Sequence, residues 1–409
     1  MLSQQQTVSL SKLGTGPDDF AGGIITPSPE YLQHLERLRN QMRGKASIRI
    51  ELLSDNELAS RIKCRNCGMR CSKRFKQPKK QPQKGAKGDH QPRQPAPAPA
   101  ENARFRHVIA GEGSGSDGSK KPVMYCRYHP GNAARGYWTC CNRHSSQPGC
   151  KEAEDHEPVA TTMPYLRARF QHVPTYEAPI KAVAPHRRVA VAIDCEMGTS
   201  KDHEPEVIRL TLIDYFTSEV LIDSLVWPDV PMLHYNTRYS GVSRPQLNEA
   251  RRTGKCIMGL DRAREMVWKY VDNNTYVIGH SLSSDLTCMR WLHHNVVDSY
   301  VLEHDIWKAA VGELQGENRV LLNAFEKLKL EKKEAGESVE SLEKPELKPL
   351  PKAVLSLKDV TKRRFGRTVQ EGKAGHDSLE DALSARNLVD WHVRQSMERE
   401  ESKENLIMF

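Results

Sequence analysis

Long apolar segments are missing from this chain. No run of eighteen apolar residues occurs among its 409 residues, and the first residues, MLSQQQT, hold no apolar stretch of the kind that directs secretion. We therefore expect no membrane-spanning helix and no secretion, and we expect the protein in the nucleus, the nucleolus included, or in the cytoplasm. An intracellular address disfavours disulfides, so the ten cysteines need another role.

Aromatic residues are also scarce, at 6% of the chain, and none of the basic runs interleaves them as a base-stacking platform would. Acidic residues are outnumbered, and the formal net charge of +9 predicts an anionic partner. Much of the positive charge lies in a low-complexity stretch, 73–120, which begins KRFKQPKKQPQK and continues into PAPAPA. We predict an extended, solvated linker there, and the alternative of a nuclear-localisation signal stays open.

The length and the hydrophobic content of 38% allow two or three folded units but not one continuous core. Near the start, residues 28–43 have apolar Leu32, Leu35 and Leu38 at helical spacing, which predicts a short amphipathic helix that packs on the protein. The predicted parts are an N-terminal segment with this helix at 1–60, a Cys/His-rich module at 61–157, a linker at 158–187, a larger domain at 188–396 and a tail at 397–409.

Alternating and β-branched apolar residues predict the strands of the larger domain. The segment VAVAID at 189–194 indicates a buried strand, and 207–213 and 219–226 indicate an antiparallel meander behind it. A fourth strand is expected at 276–280. The segment 282–294 has apolar residues at helical spacing, and a helix is also expected after the loop at 375–377. The fold class is therefore α/β, with a mixed sheet flanked by helices.

Acidic residues accompany these elements. Asp194 and Glu196 are two apart on the first strand, so both side chains project from one face. Asp285 falls on the helix predicted at 282–294, and Asp381 falls in the first turn of the last helix. If the four carboxylates meet in one cleft, their repulsion requires cations, and two Mg²⁺ or Mn²⁺ ions would compensate it. Such a pair supports in-line displacement at phosphorus.

A histidine precedes the last helix. His376 sits in a glycine-marked loop, and Asp377 with Glu380 three residues later is typical of a capping box that opens the helix. A neutral imidazole beside two metals can take a proton from an attacking water. We therefore interpret His376 as a general base.

These segments resemble the DEDDh superfamily of 3′-to-5′ exonucleases, and within it the eukaryotic RNA exonuclease branch. The similarity lies in AIDCEMG, VIGHSLSSDL and AGHDSLEDALSARNLV, together with YNTRYSGV at 235–242 and SLKDV at 356–360. It implies a ribonuclease H-like fold, Asp194, Glu196, Asp285 and Asp381 as ligands of two divalent metals, and His376 as general base. It also implies release of nucleoside 5′-monophosphates from a free 3′ end of RNA, in RNA processing or ribosome biogenesis.

One departure from the resemblance concerns substrate choice. A charged segment at about 313–352 separates the second and third motifs, and its composition predicts a surface insertion that is partly helical and partly disordered. Nothing in the motifs reads a 2′-hydroxyl, so single-stranded DNA remains an alternative substrate. Asp298 also resembles a family position, and a role as a strand or turn residue is the alternative for it.

Seven of the ten cysteines fall between residues 64 and 150, and histidines accompany them. Sulfur and imidazole ligands at short separations suit tetrahedral Zn²⁺, and there are enough for one or two structural sites. The stretch from CRYHPG through WTCC to GC partly resembles the module known as CHORD, which suggests a protein partner. The zinc candidates are Cys64, Cys67, Cys71, Cys126, His129, Cys140, Cys141, His144, Cys150 and His156.

The remaining cysteines, Cys195, Cys256 and Cys288, are expected to be buried small residues without a metal role. A different class of function is also open to this chain. It could be an adaptor in which the zinc module binds a protein partner and the larger domain is a scaffold. Degenerate motifs would favour the adaptor, whereas all four acidic residues and His376 are present here.

Overall fold

The computed structural model describes residues 23–45, 51–71, 124–134, 136–175, 186–336, 338–339, 342–370 and 375–407. They fall into two compact units, a smaller one within 59–162 and a larger one formed by the residues before and after it. The low-complexity stretch predicted at 73–120 lies outside the described residues. Within the described ranges, no helix combines the length and the apolar character needed to cross a bilayer.

Ten helices and thirteen strands are found in the described residues. In chain order they are α1 (Pro29–Gln41), α2 (Asp55–Ala59), β1 (Cys126–Tyr128), β2 (Ala133–Ala134), β3 (Tyr137–Trp138), β4 (Lys151–Ala153), α3 (Met163–Phe170), β5 (Val173–Pro174), β6 (Ala190–Ser200), β7 (Pro205–Asp214), β8 (Val220–Trp227), β9 (Met232–His234), α4 (Thr237–Ser240), α5 (Arg244–Arg252), β10 (Cys256–Met258), α6 (Leu260–Val267), β11 (Tyr276–Gly279), α7 (Ser283–Cys288), β12 (Trp291–Leu292), β13 (Val296–Asp298), α8 (Ser299–Glu334), α9 (Leu357–Phe365) and α10 (Ser378–Ile407).

A mixed sheet forms the centre of the larger unit. Its strand order is β10-β8-β7-β6-β11-β13, and β9 pairs with the far end of β6. The pairs β6–β7 and β7–β8 are antiparallel, as the predicted meander requires, whereas β11 runs parallel to both β6 and β13. Helices pack against this sheet, with α10 lying on β6 and β7. The predicted α/β class, a mixed sheet flanked by helices, is confirmed.

The first strand of the meander, β6, is buried on both faces at its start, where Ala190 to Ile193 are at most 1% exposed. Such complete burial explains the continuous run of small and β-branched residues that precedes Asp194. The strand lies between β7 and β11. It is flanked by both neighbours at Val191 and Ala192, and from Asp194 to Gly198 it pairs with β7, so Asp194 follows directly on the buried centre of the sheet.

The helix predicted at 28–43 is α1, and it packs on α10 within the larger unit. Leu35 and Leu38 are buried in the main core. The Tyr31 hydroxyl donates to Asp390 Oδ1 at 2.8 Å and lies 2.7 Å from the Tyr215 hydroxyl. This segment of the N-terminal part therefore completes the core of the larger unit.

The predicted helix at 282–294 is shorter in the structure. Helix α7 ends at Cys288, Arg290 takes a left-handed conformation with φ 47°, and Trp291–Leu292 form strand β12 against β5. Trp291 is buried, and its Nε1 donates to Thr175 Oγ1 at 2.7 Å. The apolar spacing of 282–294 did not distinguish one long helix from a short helix followed by a strand, because buried apolar residues are compatible with either.

Three other predicted parts differ from the observed elements. The linker predicted at 158–187 contains α3 and β5, and the tail predicted at 397–409 continues α10 as far as Ile407. In the insertion, α8 runs to Glu334 and the chain then returns along it: Asn318 Nδ2 donates to the Lys348 carbonyl at 2.9 Å, and Lys348 N donates to Asn318 Oδ1 at 2.8 Å. The described return segment is thus ordered by hydrogen bonds to α8, which composition did not reveal.

Candidate active site and metal centres

Three carboxylates meet at the middle of the sheet. Asp194 and Glu196 lie two residues apart on β6, and Asp381 lies in the first turn of α10, which packs on that strand. One oxygen of each carboxylate lies within 4.8 Å of the other two. We call these three residues the carboxylate cluster. The strand period of two places the first pair on one face, and the helix packing adds the third.

The fourth predicted ligand, Asp285, is adjacent to the cluster but outside it. It is 4% exposed on α7, and its Oδ1 accepts a hydrogen bond of 2.8 Å from the backbone N–H of Cys195, the residue between the two strand carboxylates. This bond ties α7 to β6. The charge of Asp285 nevertheless reaches Asp194 and contributes to raising its pKa.

Burial and mutual repulsion disfavour the ionised forms of the carboxylates at this site. Burial, followed by the neighbouring carboxylates, raises the pKa of Asp194 well above its usual range. Burial and the charge of Asp381 raise the pKa of Glu196 to about 8, although Arg209 opposes the shift. Burial likewise raises the pKa of Asp285 to about 8 and that of Asp381 to about 7. A positive charge placed among these groups would favour their ionised forms.

The donor set fits a hard divalent cation. Oδ1 of Asp381 is buried and has no hydrogen-bond partner, whereas its Oδ2 accepts from Gln370 Nε2 at 2.8 Å. A buried carboxylate oxygen without a partner is costly unless a cation satisfies it. Oxygen donors are the ligands preferred by Mg²⁺ and Mn²⁺. The carboxylate cluster therefore offers a site in which such a cation would be held.

His376 flanks the cluster from the more exposed side. Its Nδ1 lies 3.7 Å from Asp381 Oδ2, and its side chain is 42% exposed. The backbone N–H of His376 donates to the Tyr239 carbonyl at 2.6 Å, which fixes the loop against α4. Burial lowers the pKa of His376 below its ordinary value, which favours the neutral imidazole that a proton acceptor requires.

The predicted capping box is formed only in part. Asp377 Oδ1 accepts from Leu379 N at 3.1 Å, as an N-terminal cap should. The Glu380 carboxylate, however, accepts a hydrogen bond of 2.9 Å from the backbone N–H of Gln370. Gln370 is thereby held where its amide reaches Asp381. No local pattern marks Gln370 as a site residue, because its contacts are made only after α10 packs beside the 366–370 loop.

Asp298 has the structural role. It is 1% exposed, and its carboxylate accepts from the backbone N–H groups of Ser281, Leu282 and Tyr300 at 2.9, 2.9 and 3.0 Å. It therefore caps α8 and holds the turn that leads into α7. Of the other cysteines outside the smaller unit, Cys195 and Cys288 are buried as expected, whereas Cys256 is only half-buried.

In the smaller unit, the Cys/His residues separate into two groups of four. The first consists of Cys64, Cys67, Cys126 and His156, and the second consists of His129, Cys140, Cys141 and Cys150; within each group the ligand atoms lie within 4.8 Å of one another. None of the ten cysteines, all of which belong to the described ranges, forms a disulfide. The other two candidates, Cys71 and His144, lie outside both groups, and His144 Nδ1 instead lies 2.8 Å from Ser146 Oγ.

The distances within both groups suit tetrahedral zinc. Two sulfurs bound to one Zn²⁺ at about 2.3 Å lie about 3.8 Å apart, and a sulfur and a nitrogen lie about 3.5 Å apart. Cys64 Sγ and Cys126 Sγ are separated by 3.7 Å, and Cys67 Sγ and His156 Nδ1 by 3.3 Å. In the second group, the separations are 3.6 Å for Cys140 and Cys150 and 3.4 Å for Cys141 Sγ and His129 Nδ1.

One thiol in each group has a lowered pKa, whereas burial raises the pKa of Cys67, Cys126 and Cys150. Burial opposes the ionisation of Cys64, but backbone N–H groups of Cys67 and Asn66 outweigh it and lower the pKa of Cys64 to about 6. In the second group, the N–H of Gly131 and the ring of His129 similarly outweigh desolvation and lower the pKa of Cys140 to about 7. Thiolates are the form that binds a metal.

The known proteins to which this chain is compared here are named as exonucleases. No family model matches the chain. It is 26% identical over 283 residues to RNA exonuclease 3 of Candida albicans, covering 69% of this chain and 57% of that protein. It is 34% identical over 187 residues to the putative RNA exonuclease pqe-1 of Caenorhabditis elegans, covering 43% and 10%, and 25% identical over 278 residues to the putative exonuclease GOR of Homo sapiens, covering 66% and 33%. The chain thus spans less than two thirds of each of these relatives.

Solved structures similar to the chain are nuclease units of Pan2. The catalytic unit from Neurospora crassa, with protease and nuclease domains, gives a TM-score of 0.35 at 17% identity over 58% of this chain and 32% of that chain. The corresponding module from Saccharomyces cerevisiae in complex with AAGGA RNA gives 0.36 at 17% identity over 57% and 34%.

Proposed function

We propose that this protein is a metal-dependent 3′-to-5′ exonuclease that hydrolyses the phosphodiester bonds of RNA and releases nucleoside 5′-monophosphates. The observation that carries the proposal is the carboxylate cluster, with its unpartnered buried oxygen on Asp381 and with His376 beside it. The relatives named RNA exonucleases support RNA as the substrate. A place in RNA processing or ribosome biogenesis, and a nuclear or cytoplasmic location, belong to the same proposal.

The four acidic residues have the proposed role of metal ligands. Asp194, Glu196 and Asp381 would hold the cations directly, and Asp285 would complete the set from α7. Two divalent ions, when bound, stabilise the charge that develops on the attacking and leaving oxygens of an in-line displacement. Unless the negative charge of the carboxylates is compensated, they repel the negatively charged phosphodiester, so substrate binding depends on the metal.

His376 acts on the attacking water. Its lowered pKa keeps the imidazole neutral near pH 7, and its partly exposed position gives water access to it. The hydrogen bond from its backbone N–H to Tyr239 holds the ring beside Asp381. The imidazole then accepts the proton that the water releases as its oxygen attacks phosphorus.

The smaller unit is proposed to bind two zinc ions in a structural role. Each group of four supplies all the ligands of a tetrahedral site, which leaves no position for a reacting water. Two closed sites on one small unit also favour the adaptor as a second candidate function, in which this unit binds a protein partner. Removal of residues 61–157 would abolish partner capture if the protein is an adaptor, and would leave 3′ trimming intact if it is an exonuclease.

The decisive experiment is digestion of matched 3′-labelled and 5′-labelled RNA and DNA oligonucleotides with Mg²⁺, Mn²⁺ or neither. We expect metal-dependent release of mononucleotides from the 3′ end of RNA, and we expect Asp194→Asn to lower the rate about a hundredfold or more. Glu249→Gln, a change at an exposed ion pair on α5, is the matched control and should keep the rate. Inactivity of the unaltered protein on every substrate would reject the exonuclease in favour of the adaptor, and preference for DNA would correct the substrate.

A further inference from the structure

A cavity of about 470 Å³ opens directly beside the carboxylate cluster. Its lining combines the polar residues Asp194, Asp381 and His376 with Tyr300, Leu355 and Leu357. Pockets of this size hold nucleoside-sized ligands. The cavity therefore combines acidic residues, where cations and a phosphate would meet, with an aromatic wall formed by Tyr300 and an aliphatic wall formed by Leu355 and Leu357.

The aromatic wall is held rigidly. Tyr300 is the second residue of α8, and its backbone N–H donates to the buried capping residue Asp298 at 3.0 Å. The ring of His280 meets the ring of Tyr300 edge to face, at a centroid distance of 5.8 Å and an interplanar angle of 81°. Tyr300 nevertheless keeps 36% of its surface exposed. A ring that is supported by a neighbouring ring, partly exposed and part of the cavity lining is suited to stacking.

The aliphatic wall comes from the chain that follows the insertion. The Leu355 carbonyl lies 3.0 Å from His280 Nε2, so the same histidine contacts both walls. Ser356 then caps α9 through the Asp359 N–H, which places Leu357 at the first helical position. The return segment of the insertion thus leads directly into residues that line the cavity.

Aromatic rings continue from the cavity along α8. His304 follows Tyr300 at a spacing of four residues, with the two rings inclined by only 17° and their centroids 6.2 Å apart. Trp307 follows at a spacing of three, 5.5 Å from His304, and its Nε1 donates to the Pro351 carbonyl at 3.1 Å. Helical spacing puts all three rings on one face. Successive aromatic rings are how proteins follow the bases of a single strand.

We propose that Tyr300 is a nucleobase-binding residue, which stacks on a base of single-stranded nucleic acid next to the scissile phosphate, in the cavity that Leu355 and Leu357 also line. The inference rests on the proposed nuclease function and deepens it, because it identifies how the strand is held beside the cluster. Stacking of this kind tolerates any base, since each base presents a π-face. The site therefore holds the strand without selecting its sequence.

The test measures binding separately from cleavage. Asp194→Asn protein, with Mg²⁺ present, is titrated with fluorescent RNA oligonucleotides that carry a single abasic residue at each of the last four positions. We expect one abasic position to weaken binding about tenfold, and we expect Tyr300→Ala in the same background to weaken binding of the intact strand about as much. At that position the abasic change should then have no further effect, because the two alterations remove the same contact.

Two variants guard against a merely structural effect. Tyr300→Phe keeps the ring and should restore both the affinity and the sensitivity to the abasic position. Tyr165→Ala removes a comparably exposed tyrosine from α3, where it is 54% exposed, and should change nothing. Weakened binding that is equal for intact and for every abasic strand would overturn the inference, as would unchanged binding by Tyr300→Ala.

Cleavage by the otherwise unaltered protein distinguishes the two proposals. Release of 3′ nucleotides together with an abasic profile that Tyr300→Ala leaves unchanged would keep the nuclease and reject the base contact. A Tyr300-dependent abasic profile without nucleotide release would keep the base contact and reject the nuclease. Failure of the protein to bind any single strand would overturn both.

Discussion

Gly375 has no side chain, and the backbone around it leaves room for none. Its φ is +91°, and a Cβ built there would overlap the backbone N and Cα of Gly241. The next residue is His376, whose N–H donates to the Tyr239 carbonyl. The close approach of the two backbones at Gly375 and Gly241 therefore helps to position the loop that carries His376. Conformational freedom at one glycine is used here to place the proposed general base.

We expect Gly375→Ala to lower kcat about tenfold to a hundredfold while the protein stays folded, because the loop must lift and His376 must move with it. Steady-state kinetics on a 3′-labelled RNA and a thermal melt measure the two effects. Gly312→Ala is the control: Gly312 lies on α8 with open space around its missing Cβ, so its substitution should keep kcat and stabilise the helix by about 0.5–1 kcal/mol. Equal kinetic effects from both substitutions would contradict this role of Gly375.

At the scale of elements, three helices meet at one buried carboxylate. Glu303 on α8 is 1% exposed and accepts hydrogen bonds from Nε and Nη2 of Arg364 at 2.8 and 2.9 Å. Its Oε2 accepts from Arg363 at 3.1 Å, and His392 Nε2 on α10 lies 3.1 Å from Oε1. The helix that carries Tyr300 is thus tied to α9 and to the helix that carries Asp381.

Replacement of Glu303 by Gln should lower the free energy of unfolding by about 2–3 kcal/mol at pH 7, less than for a fully buried pair because Arg363 reaches solvent. Although burial opposes it, His392 and Arg364 lower the pKa of Glu303 to about 2. A lowered acid pKa contributes stability above the unfolded value, near 4.3, which is lost as pH falls toward 2.

Urea denaturation at pH 7 and at pH 3 measures this dependence. The difference between the wild type and Glu303→Gln should narrow at the lower pH, whereas Glu249→Gln, at an exposed pair, should cost less than about 0.5 kcal/mol at both. A difference that is as large at pH 3 as at pH 7 would contradict a charge-based role.

At the scale of the whole molecule, the two units are stabilised by different means. The larger unit has an extensive apolar core that runs from α1 through the sheet to α10. In the smaller unit, strands β1 to β4 have only two or three residues each, and Cys64 and Cys126 are its main buried side chains among the described residues. A unit with so little apolar burial depends on a cross-link, and bound metal is one.

We therefore expect two zinc ions per chain by elemental analysis, and one in Cys64→Ser or Cys140→Ser, because each removes a ligand of a different group. Cys71→Ser is the matched control, since Cys71 lies outside both groups, and it should keep both ions. A strong chelator should unfold the smaller unit while the larger one retains its thermal transition. Loss of zinc from Cys71→Ser to the same extent would reject the assignment of ligands to the groups.

Local patterns were sufficient for much of the larger unit. The side of an element that is buried determines where its apolar residues occur, and the period of these residues can be read from the sequence. This period predicted the strand before Asp194, the strands at 207–213 and 219–226, and the helix at 28–43. The pair Asp194 and Glu196 follows from the same period of two. The separated acidic residues could be named because their surroundings resemble known motifs, not because spacing shows that they meet.

Contacts between distant segments were decided only by the tertiary structure. The division of the zinc candidates into two groups depends on how the chain folds back. The sequence spacing allowed many pairings, including ones with Cys71 and His144, whereas the fold brings together Cys64, Cys67, Cys126 and His156 in one group and four others in the second. The contact of Gln370 with Asp381, and the shared cavity lined by Tyr300 and Leu355, arise between elements that packing brings together. Sequence determines the period and polarity of each element, because these are local; side chains from separate elements meet only where the core positions their backbones.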